Sequence, residues 1–213
     1  MSKILITGVS RGIGLELLVQ LLSNNEHELI AISRNSLDFT NPVLSGAREE
    51  NRLFSYALDL VNDDFDIIEN SLNKFNKIDI LINNAGFLIN KPFLEQTEED
   101  WQKQFEVNVF SPAKLIRYLY PWLIKSGNAH IVNISSMGGF QGSSKFSGLS
   151  AYSASKAALG TLTECLAIEF SGKGISVNAL ALGAVQTEML AQAFPGYLAP
   201  VSASKMAEYI ASF

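Results

Sequence analysis

Tyr152 and Lys156 are the pair of side chains in this sequence with the clearest potential for chemistry. They are four residues apart, so on a helix they share one face, one turn from each other. A free tyrosine has a pKa of about 10, and a nearby ammonium group favours the phenolate and lowers that value. An acid/base group works best when its pKa is close to the operating pH. The pair therefore predicts an acid/base function for Tyr152, although the same spacing is also common on solvated helix surfaces.

A glycine-rich turn follows the first apolar run of the chain. It reads Thr7-Gly8-Val9-Ser10-Arg11-Gly12-Ile13-Gly14, and a segment with helical spacing starts directly behind it. Helix N-termini bind phosphate through unpaired N–H groups and a partial positive charge, and glycine lets the backbone approach a pyrophosphate. A plain strand–helix turn is the alternative. The position between strand and helix favours a dinucleotide-binding turn.

Two motifs of acylating hydrolases overlap these residues. Gly8 to Gly12 match G-x-S-x-G, and Ser153 to Lys156 match S-x-x-K. The first motif needs an oxyanion donor from a loop after an earlier strand, and only seven residues precede Gly8. The second lacks its companion K-T-G element. We therefore do not expect a hydrolase.

Short apolar runs alternate with segments of helical spacing and predict the elements that position these residues. The predicted strands cover residues 3–7, 28–33, 79–83, 130–135 and 175–180, with a weaker candidate at 53–57. The predicted helices cover residues 12–23, 64–75, 98–125 and 151–171, with kinks or a break at Pro112 and Pro121. Residues 35–51 read as a loop with at most a short helix. Such alternation indicates a doubly wound α/β fold with a parallel sheet.

The composition excludes several classes of protein. The 213 residues are 47% hydrophobic and 17% charged, with a formal net charge of −5, which is typical of a globular protein. There is no long basic tract for nucleic acid, and the single cysteine, Cys165, allows no intrachain disulfide and fits a reducing compartment. Neither a secretory signal nor an apolar run of about 18 residues is visible. We expect a cytoplasmic protein without a membrane partner.

The order of the motifs along the chain resembles the short-chain dehydrogenase/reductase family. The matching features are T-G-x-x-x-G-x-G at 7–14, Asp59-Leu60, N-N-A-G at 83–86, Asn108, Ser136, Y-x-x-x-K at 152–156, and the segment 178–187. The resemblance implies one dinucleotide-binding oxidoreductase domain over residues 1–213. Its fold would be a Rossmann-type doubly wound, mainly parallel sheet of six or seven strands with helices on both faces.

The resemblance also implies a role for each matching residue. Tyr152 would be the general acid/base, Lys156 would bond the nicotinamide ribose, Ser136 would hydrogen-bond the substrate oxygen, and Asn108 would hold a water that relays protons to Lys156. No metal site is expected. The implied cofactor contacts are Gly8, Ser10, Arg11, Gly12, Ile13, Gly14, Ser33, Arg34, Asp59, Leu60, Asn84, Ala85, Gly86, Tyr152, Lys156, Gly183, Val185 and Thr187.

The end of the second predicted strand indicates which dinucleotide binds. NAD(H) binding usually places a carboxylate there for the ribose 2′-hydroxyl, whereas an arginine suits a 2′-phosphate. Here the strand ends Ile32-Ser33-Arg34, and Arg11 lies in the glycine turn. Both guanidinium groups could hold the phosphate with charge-assisted bonds. The sequence predicts NADP(H) over NAD(H), the alternative being two solvent-facing arginines.

Three departures from the family pattern leave other functions open. Leu182-Gly183 replaces the usual Pro-Gly, a few extra residues lie between Ser136 and Tyr152, and the chain ends at Phe213, where the family continues into a seventh strand. A catalytically idle NADP(H)-binding sensor or scaffold is the main alternative to a carbonyl reductase or alcohol dehydrogenase. A sugar-nucleotide epimerase would need a larger C-terminal substrate domain.

The substrate and the assembly are less well defined by the sequence. The candidates for the pocket wall are mostly apolar, which favours a hydrophobic carbonyl or alcohol substrate of small size. These candidates are Phe140, Gln141, Phe146, Phe194 and Tyr197. The family resemblance implies a homodimer or homotetramer joined through the helices at 98–125 and 151–171.

Overall fold

Parallel strands form the central sheet of the computed structural model, which describes residues 1–24 and 26–213. Within these ranges the central sheet has six strands: β1 (Ser2–Thr7), β2 (His27–Ser33), β3 (Leu53–Ala57), β4 (Ile80–Asn83), β5 (Ala129–Ser136) and β6 (Ile175–Leu182). Their order is β3-β2-β1-β4-β5-β6, and all five pairings are parallel. This is the Rossmann-type doubly wound sheet that the sequence predicted.

The central strands β1 and β2 are mainly apolar because both faces of the sheet are covered there. Alternate residues of a strand point to opposite faces. Leu5 of β1 lies in a core on one face, whereas its neighbours Ile4 and Ile6 lie in a second core on the other face. All three are fully buried. Burial on both sides explains why the predicted strands showed so little polar alternation.

Eight α-helices of the described residues surround the sheet. They are α1 (Gly12–Ser23), α2 (Pro42–Glu49), α3 (Glu69–Phe75), α4 (Glu98–Phe105), α5 (Ser111–Leu123), α6 (Ser150–Glu169), α7 (Glu188–Ala193) and α8 (Ala203–Ser212). A two-stranded parallel sheet of β7 (Val185–Gln186) and β8 (Val201–Ser202) precedes the last helix. No helix in the described ranges has the length and apolar character needed to cross a bilayer.

The helix predicted at 98–125 is interrupted in the structure. A π-helical turn, Glu106–Phe110, separates α4 from α5, and the segment ends in a 3₁₀ turn, Ile124–Ser126. Pro112 sits in the first turn of α5, where its missing N–H costs little, and Pro121 is accommodated inside that helix. The break therefore falls just before Pro112. π-Helical turns are often found at functional sites, and this one carries Asn108.

The topology places a crevice at the carboxyl ends of β1 and β4. β1 pairs with β2 on one side and with β4 on the other, so the direction of winding reverses there. In open α/β sheets, ligands bind outside the carboxyl ends of the strands at such a switch point. The glycine-rich turn follows β1 and the N-N-A-G segment begins at the end of β4, so the fold brings these two motifs together.

Candidate active site

The glycine-rich turn allows very close packing between β1, α1 and the chain that follows β4. Gly8 has a positive φ of 74°, and a Cβ atom there would lie 2.7 Å from the Cα of Ala85. A Cβ atom on Gly14 would lie 2.1 Å from the carbonyl oxygen of Gly8. Side chains are therefore excluded at both positions. The first turn of α1, Gly12 to Gly14, lines the cleft with backbone and carries no carboxylate, which is the environment that a pyrophosphate needs.

Asn84 and Thr7 fasten the N-N-A-G segment to the glycine-rich turn. The Asn84 amide nitrogen donates to the carbonyl oxygens of Thr7 (2.9 Å) and Gly8 (3.0 Å). In return, the Thr7 hydroxyl accepts from the backbone N–H groups of Asn84 (3.1 Å) and Ala85 (3.0 Å). These four bonds fix the backbone on both sides of the crevice.

A chain of buried amides holds the centre of the sheet to α6. Asn83 on β4 donates to the Oδ1 of Asn133 on β5 at 2.8 Å, and Asn133 donates to the hydroxyl of Thr163 at 2.9 Å. Thr163 then donates to the Leu159 carbonyl inside α6 at 2.7 Å. The amides of Asn83 and Asn84 therefore tie β4 to β5 and to the turn after β1. The helix tied in this way is the one that carries Tyr152 and Lys156.

Tyr152 and Ser136 meet in the cleft, and the surroundings favour a neutral phenol. Burial raises the pKa of the Tyr152 hydroxyl, and the hydrogen bond with Ser136 lowers it by less. The Ser136 oxygen also accepts from the backbone N–H of Gly138 at 3.1 Å, which fixes its position at the end of β5. The sequence led us to expect a pKa lowered by Lys156. The direction is the opposite because desolvation dominates.

Lys156 is buried in the same wall of the cleft and bonds to the sheet. Its Nζ donates to the carbonyl oxygen of Ile134 at 2.8 Å and lies 6.0 Å from the centre of the Tyr152 ring. Its side chain is only 4% exposed, and burial lowers its pKa to about 8. The pair does share one helix face, as the i and i+4 spacing predicted. Both partners, however, favour their neutral forms more than they would in water.

Asn108 lies behind the cleft and holds its walls together. The side-chain amide donates to the carbonyl of Phe87 (2.8 Å) and to the hydroxyl of Ser155 (2.9 Å), and its Oδ1 accepts from the N–H of Phe87 (2.8 Å). It is fully buried, so it anchors the chain after β4 to α6. A Cβ atom on Gly86 would be 3.5 Å from both Asn108 Oδ1 and Lys156 Nζ. The water relay expected for Asn108 stays a prediction.

The segment after β6 closes the cleft on the side of α1. Thr187 caps α7 by accepting from the N–H of Leu190 at 3.3 Å. Its side chain also borders the glycine-rich turn, where a Cβ atom on Gly12 would lie 3.4 Å from the Thr187 methyl group. Gly183 and Val185 line the same wall, with Val185 almost fully buried. Leu182, which departs from the family pattern, is the last residue of β6.

The adenosine end of the cleft carries positive charge and no carboxylate at the end of β2. Arg11 and Arg34 are both exposed and both line the cleft. Ser33 is buried and donates to the carbonyl of Asn35 at 2.7 Å. The carboxylate of Asp59 is hydrogen-bonded within its own loop. It accepts from the N–H of Val61 at 3.0 Å and from the side chain of Asn62 at 3.0 Å.

The predicted site residues come together in one cleft of about 1040 Å³. All the predicted cofactor contacts line it, together with Ser136, Tyr152 and Lys156, whereas Asn108 lies behind its wall. Of the five expected pocket-wall residues, Phe146, Phe194 and Tyr197 line the cleft. Phe140 and Gln141 do not line it, and both are exposed in the loop after β5. In the described residues we find no cluster of side chains suited to a metal ion.

Sequence reasoning missed the residues that hold the catalytic candidates in place. Asn133, Thr163 and Ser155 form the buried bonds described above, and the carbonyl of Ile134 receives Lys156. Two signals could have revealed them: an amide inside the apolar run at 130–135, and a serine directly before Lys156. A buried polar side chain needs a partner, so each predicts a bond.

Comparison with known proteins agrees with this geometry. The sequence profile of the short chain dehydrogenase family matches residues 2–197. The chain is 33% identical over 189 residues to the 3-oxoacyl-(acyl-carrier-protein) reductase FabG of Thermotoga maritima, over 87% of this chain and 74% of that one.

Solved structures are similar over nearly the whole chain. A 3-ketoacyl-(acyl-carrier-protein) reductase of Brucella melitensis complexed with NADH superimposes with a TM-score of 0.82 and 25% identity, over 99% of this chain and 89% of that one. ElxO with NADP bound gives a TM-score of 0.82 and 29% identity, over 98% and 89%. The fold and the cleft define a nicotinamide-dinucleotide oxidoreductase. The chain belongs to the short-chain dehydrogenase family.

Proposed function

We propose that this protein is an NADP(H)-dependent carbonyl reductase or alcohol dehydrogenase with Tyr152 as its general acid/base. One observation carries the proposal: Tyr152, Ser136 and Lys156 line the same cleft as the glycine-rich turn. A dinucleotide that rests on the turn has its far end in the wall that carries the acid/base candidates. A protein that only binds the dinucleotide does not need that set.

The residues of the cleft fit a dinucleotide. Gly8 and Gly14 carry no side chain beside the backbone N–H groups at the start of α1, where the pyrophosphate would lie. Lys156 would donate to the nicotinamide ribose, and Gly183, Val185 and Thr187 would border the nicotinamide. The bound cofactor supplies the hydride that is exchanged with the substrate carbon.

The residues of the chain supply the proton and hold the substrate oxygen. The Ser136 hydroxyl donates to the carbonyl oxygen, and Tyr152 donates its phenolic proton to that oxygen as it gains negative charge. The phenol is protonated at neutral pH, because its usual pKa of about 10 is well above 7 and burial raises it further. It can therefore donate a proton when a carbonyl group is reduced.

The preference for NADP(H) rests on the two arginines at the adenosine end. Arg34→Asp should lower the NADPH-over-NADH preference in affinity by about 10- to 100-fold, because one charge-assisted contact contributes roughly 1.5–3 kcal/mol. The measurement is the dissociation constant of each cofactor by fluorescence titration. Arg117→Asp is the control, since Arg117 is exposed on α5 and does not line the cleft. An unchanged preference in Arg34→Asp contradicts the assignment.

Turnover tests the activity itself. NADPH consumption is followed with a panel of ketones, aldehydes and quinones, in the natural protein and in Tyr152→Phe. Turnover that depends on Tyr152 supports the proposal. NADPH binding without turnover, unchanged by Tyr152→Phe, supports the idle sensor or scaffold instead.

We also propose that the protein assembles as a homodimer or homotetramer. Phe110 and Ile168 support this, because they are 59% and 80% exposed on the helical segments named by the family resemblance. Light scattering on the purified chain measures the assembly. The cytoplasmic location and the single domain over residues 1–213 stay predictions.

A further inference from the structure

Two aromatic rings that line the cleft contact each other edge to face. Phe146 belongs to the loop before α6, and Phe194 follows α7 directly. Their ring centres are 6.4 Å apart and their planes meet at 70°, which is a favourable edge-to-face arrangement. Both rings line the cleft, and Phe146 is 60% exposed. Two paired rings that line a cleft offer an apolar surface to a ligand, which a single exposed ring does not.

Asn90, in the loop after β4, contacts both the segment that carries Phe146 and the segment that carries Phe194. The Asn90 side chain donates to the carbonyl of Ala193, next to Phe194, at 2.7 Å. Its Oδ1 packs against Gly148, two residues beyond Phe146, so closely that a Cβ atom there would be only 1.9 Å away. The carbonyl of Gly148 accepts from the N–H of Lys91 at 3.0 Å and from the side chain of Gln96 at 3.2 Å. The spacing of the rings is therefore fixed by bonds to the loop after β4.

Apolar and polar side chains both line the cleft that holds these rings and the acid/base candidates. The apolar ones include Leu149, Met137, Leu190 and Tyr197, and the polar ones include Glu99, Gln102, Lys103 and Glu106. Phe146 lies six residues before Tyr152, and its carbonyl accepts from the N–H of Leu149 just ahead of α6. A substituent on a carbonyl carbon held at Tyr152 would share the cleft with the two rings, because Tyr152, Phe146 and Phe194 all line it.

We propose that Phe146 and Phe194 form an aromatic gate that selects aryl ketones and aryl aldehydes, with Asn90 as the positioning residue of the gate. This inference rests on the proposed function and names the substrate class for it. A flat aromatic group can contact the face of one ring and the edge of the other, which an aliphatic group of equal size does less well. Aromatic contact adds about 2- to 10-fold in affinity beyond burial alone.

The chain offers a matched control for the gate. Phe140 is on the same loop as Phe146 and is equally exposed, at 60%, but does not line the cleft. We compare kcat/KM for acetophenone, cyclohexyl methyl ketone and 2-butanone in the natural protein, Phe146→Ala, Phe194→Ala and Phe140→Ala. The natural protein should favour acetophenone over 2-butanone by about 10-fold or more, since apolar contacts of this size discriminate by about 10- to 200-fold. Phe146→Ala and Phe194→Ala should remove most of that preference, and Phe140→Ala should keep it.

Asn90→Ala tests the positioning role separately. It should raise KM for acetophenone several-fold and leave kcat/KM for 2-butanone unchanged, because the small ketone does not reach the rings. A general loss of folding would lower the rates for both ketones together. Asn90→Asp keeps an oxygen at Gly148 but removes the donor to Ala193, so it should show the same selective change. Equal effects on both ketones in these two variants contradict the positioning role.

Binding measurements keep this proposal independent of the proposed function. Calorimetry of acetophenone and cyclohexyl methyl ketone with Tyr152→Phe and NADPH needs no turnover. Tighter binding of acetophenone that is lost in the double variant with Phe146→Ala supports the gate. Equal binding of the two ketones, or equal losses in the Phe146→Ala and Phe140→Ala variants, overturns the gate. Absence of turnover with every carbonyl compound contradicts the proposed function only.

Discussion

The two ends of the parallel sheet use their polar side chains in opposite ways. At the amino ends of the strands, the polar groups around Asp79 bond to one another. Asp79, just before β4, accepts from the backbone N–H of Lys3 (2.9 Å) and from the hydroxyl of Ser126 (2.6 Å), and pairs with Lys77 (2.8 Å). Lys3 in turn pairs with Glu28 on β2. At the carboxyl ends, the polar groups of Ser136, Tyr152 and Lys156 line a cleft.

The two ends of the sheet also differ in whether they stabilise the charged or the neutral forms of their side chains. Burial alone would raise the pKa of Asp79, but the bonds from Lys77, Ser126 and Lys3 outweigh it and lower that pKa, so the charged form is stabilised. At the cleft, burial raises the pKa of Tyr152 and lowers that of Lys156 to about 8, so the neutral forms gain. A stabilised charge holds the fold together, whereas the lowered pKa of Lys156 brings its ammonium group closer to giving up a proton at neutral pH. The difference predicts that substitutions at the two ends change different quantities.

The largest expected effect is at Tyr152. Tyr152→Phe should lower kcat by about 10²- to 10⁴-fold, because it removes the proton donor while keeping the ring. The dissociation constant of NADPH and the free energy of unfolding should change little. Kinetics, fluorescence titration and denaturant unfolding measure the three quantities. A fall in stability that accounts for the lost activity would show that this end of the sheet is structural as well.

A smaller but still large effect is expected at the glycine-rich turn. Gly14→Ala should destabilise the protein by about 3 kcal/mol and weaken dinucleotide binding, since the new methyl group meets the Gly8 carbonyl at 2.1 Å and the Asn84 amide at 2.4 Å. The fixed backbone on both sides cannot yield easily, because Asn84 bonds to Thr7 and Gly8. Denaturant unfolding and NADPH titration measure the two effects.

Gly160→Ala is the matched control for that substitution. Gly160 also lies within a helix, α6, and a Cβ atom there would enter open space among the described residues. The substitution should stabilise the protein by about 0.5–1 kcal/mol, because alanine loses less conformational entropy in a helix. Similar losses of unfolding free energy in Gly14→Ala and Gly160→Ala would show that the close approach at Gly14 does not explain the destabilisation.

Much of the carboxyl end could be predicted from the sequence because its geometry is local. The turn at 7–14 lies between a strand and a helix, and Tyr152 and Lys156 lie one turn apart on one helix, so sequence spacing alone sets their relation. The π-helical turn at Asn108 could not be predicted in this way. It depends on bonds to Phe87 and Ser155, which are 21 and 47 residues away.

The predicted direction of the Tyr152 pKa shift was wrong for a related reason. The spacing showed an ammonium nearby, but the cost of removing the phenolate from water depends on packing that no local pattern contains. The pocket wall shows the same limit. Phe140 and Phe146 are alike in sequence context, yet the contact with Phe194 places only Phe146 at the cleft. Tertiary contacts between distant segments decide all three cases.

The smallest expected effect tests the amino end of the sheet. Asp79→Asn should destabilise the protein by about 1–2 kcal/mol at pH 7 and leave kcat unchanged, because it weakens bonds to a charged carboxylate far from the cleft. The pKa of Asp79 is lower in the folded protein than in the unfolded chain, so its contribution is present above the unfolded value of about 4 and is lost as pH falls through the folded value. The difference in unfolding free energy between the natural protein and Asp79→Asn should therefore shrink below about pH 4.

Glu164→Gln is the control, because Glu164 is at an exposed position on α6. It should change the unfolding free energy by less than about 0.5 kcal/mol at any pH. A loss of stability in Asp79→Asn that stays constant from pH 7 to pH 3 would mean that packing, and not the ionised carboxylate, stabilises the amino end of the sheet. The contrast between the two ends would then be wrong.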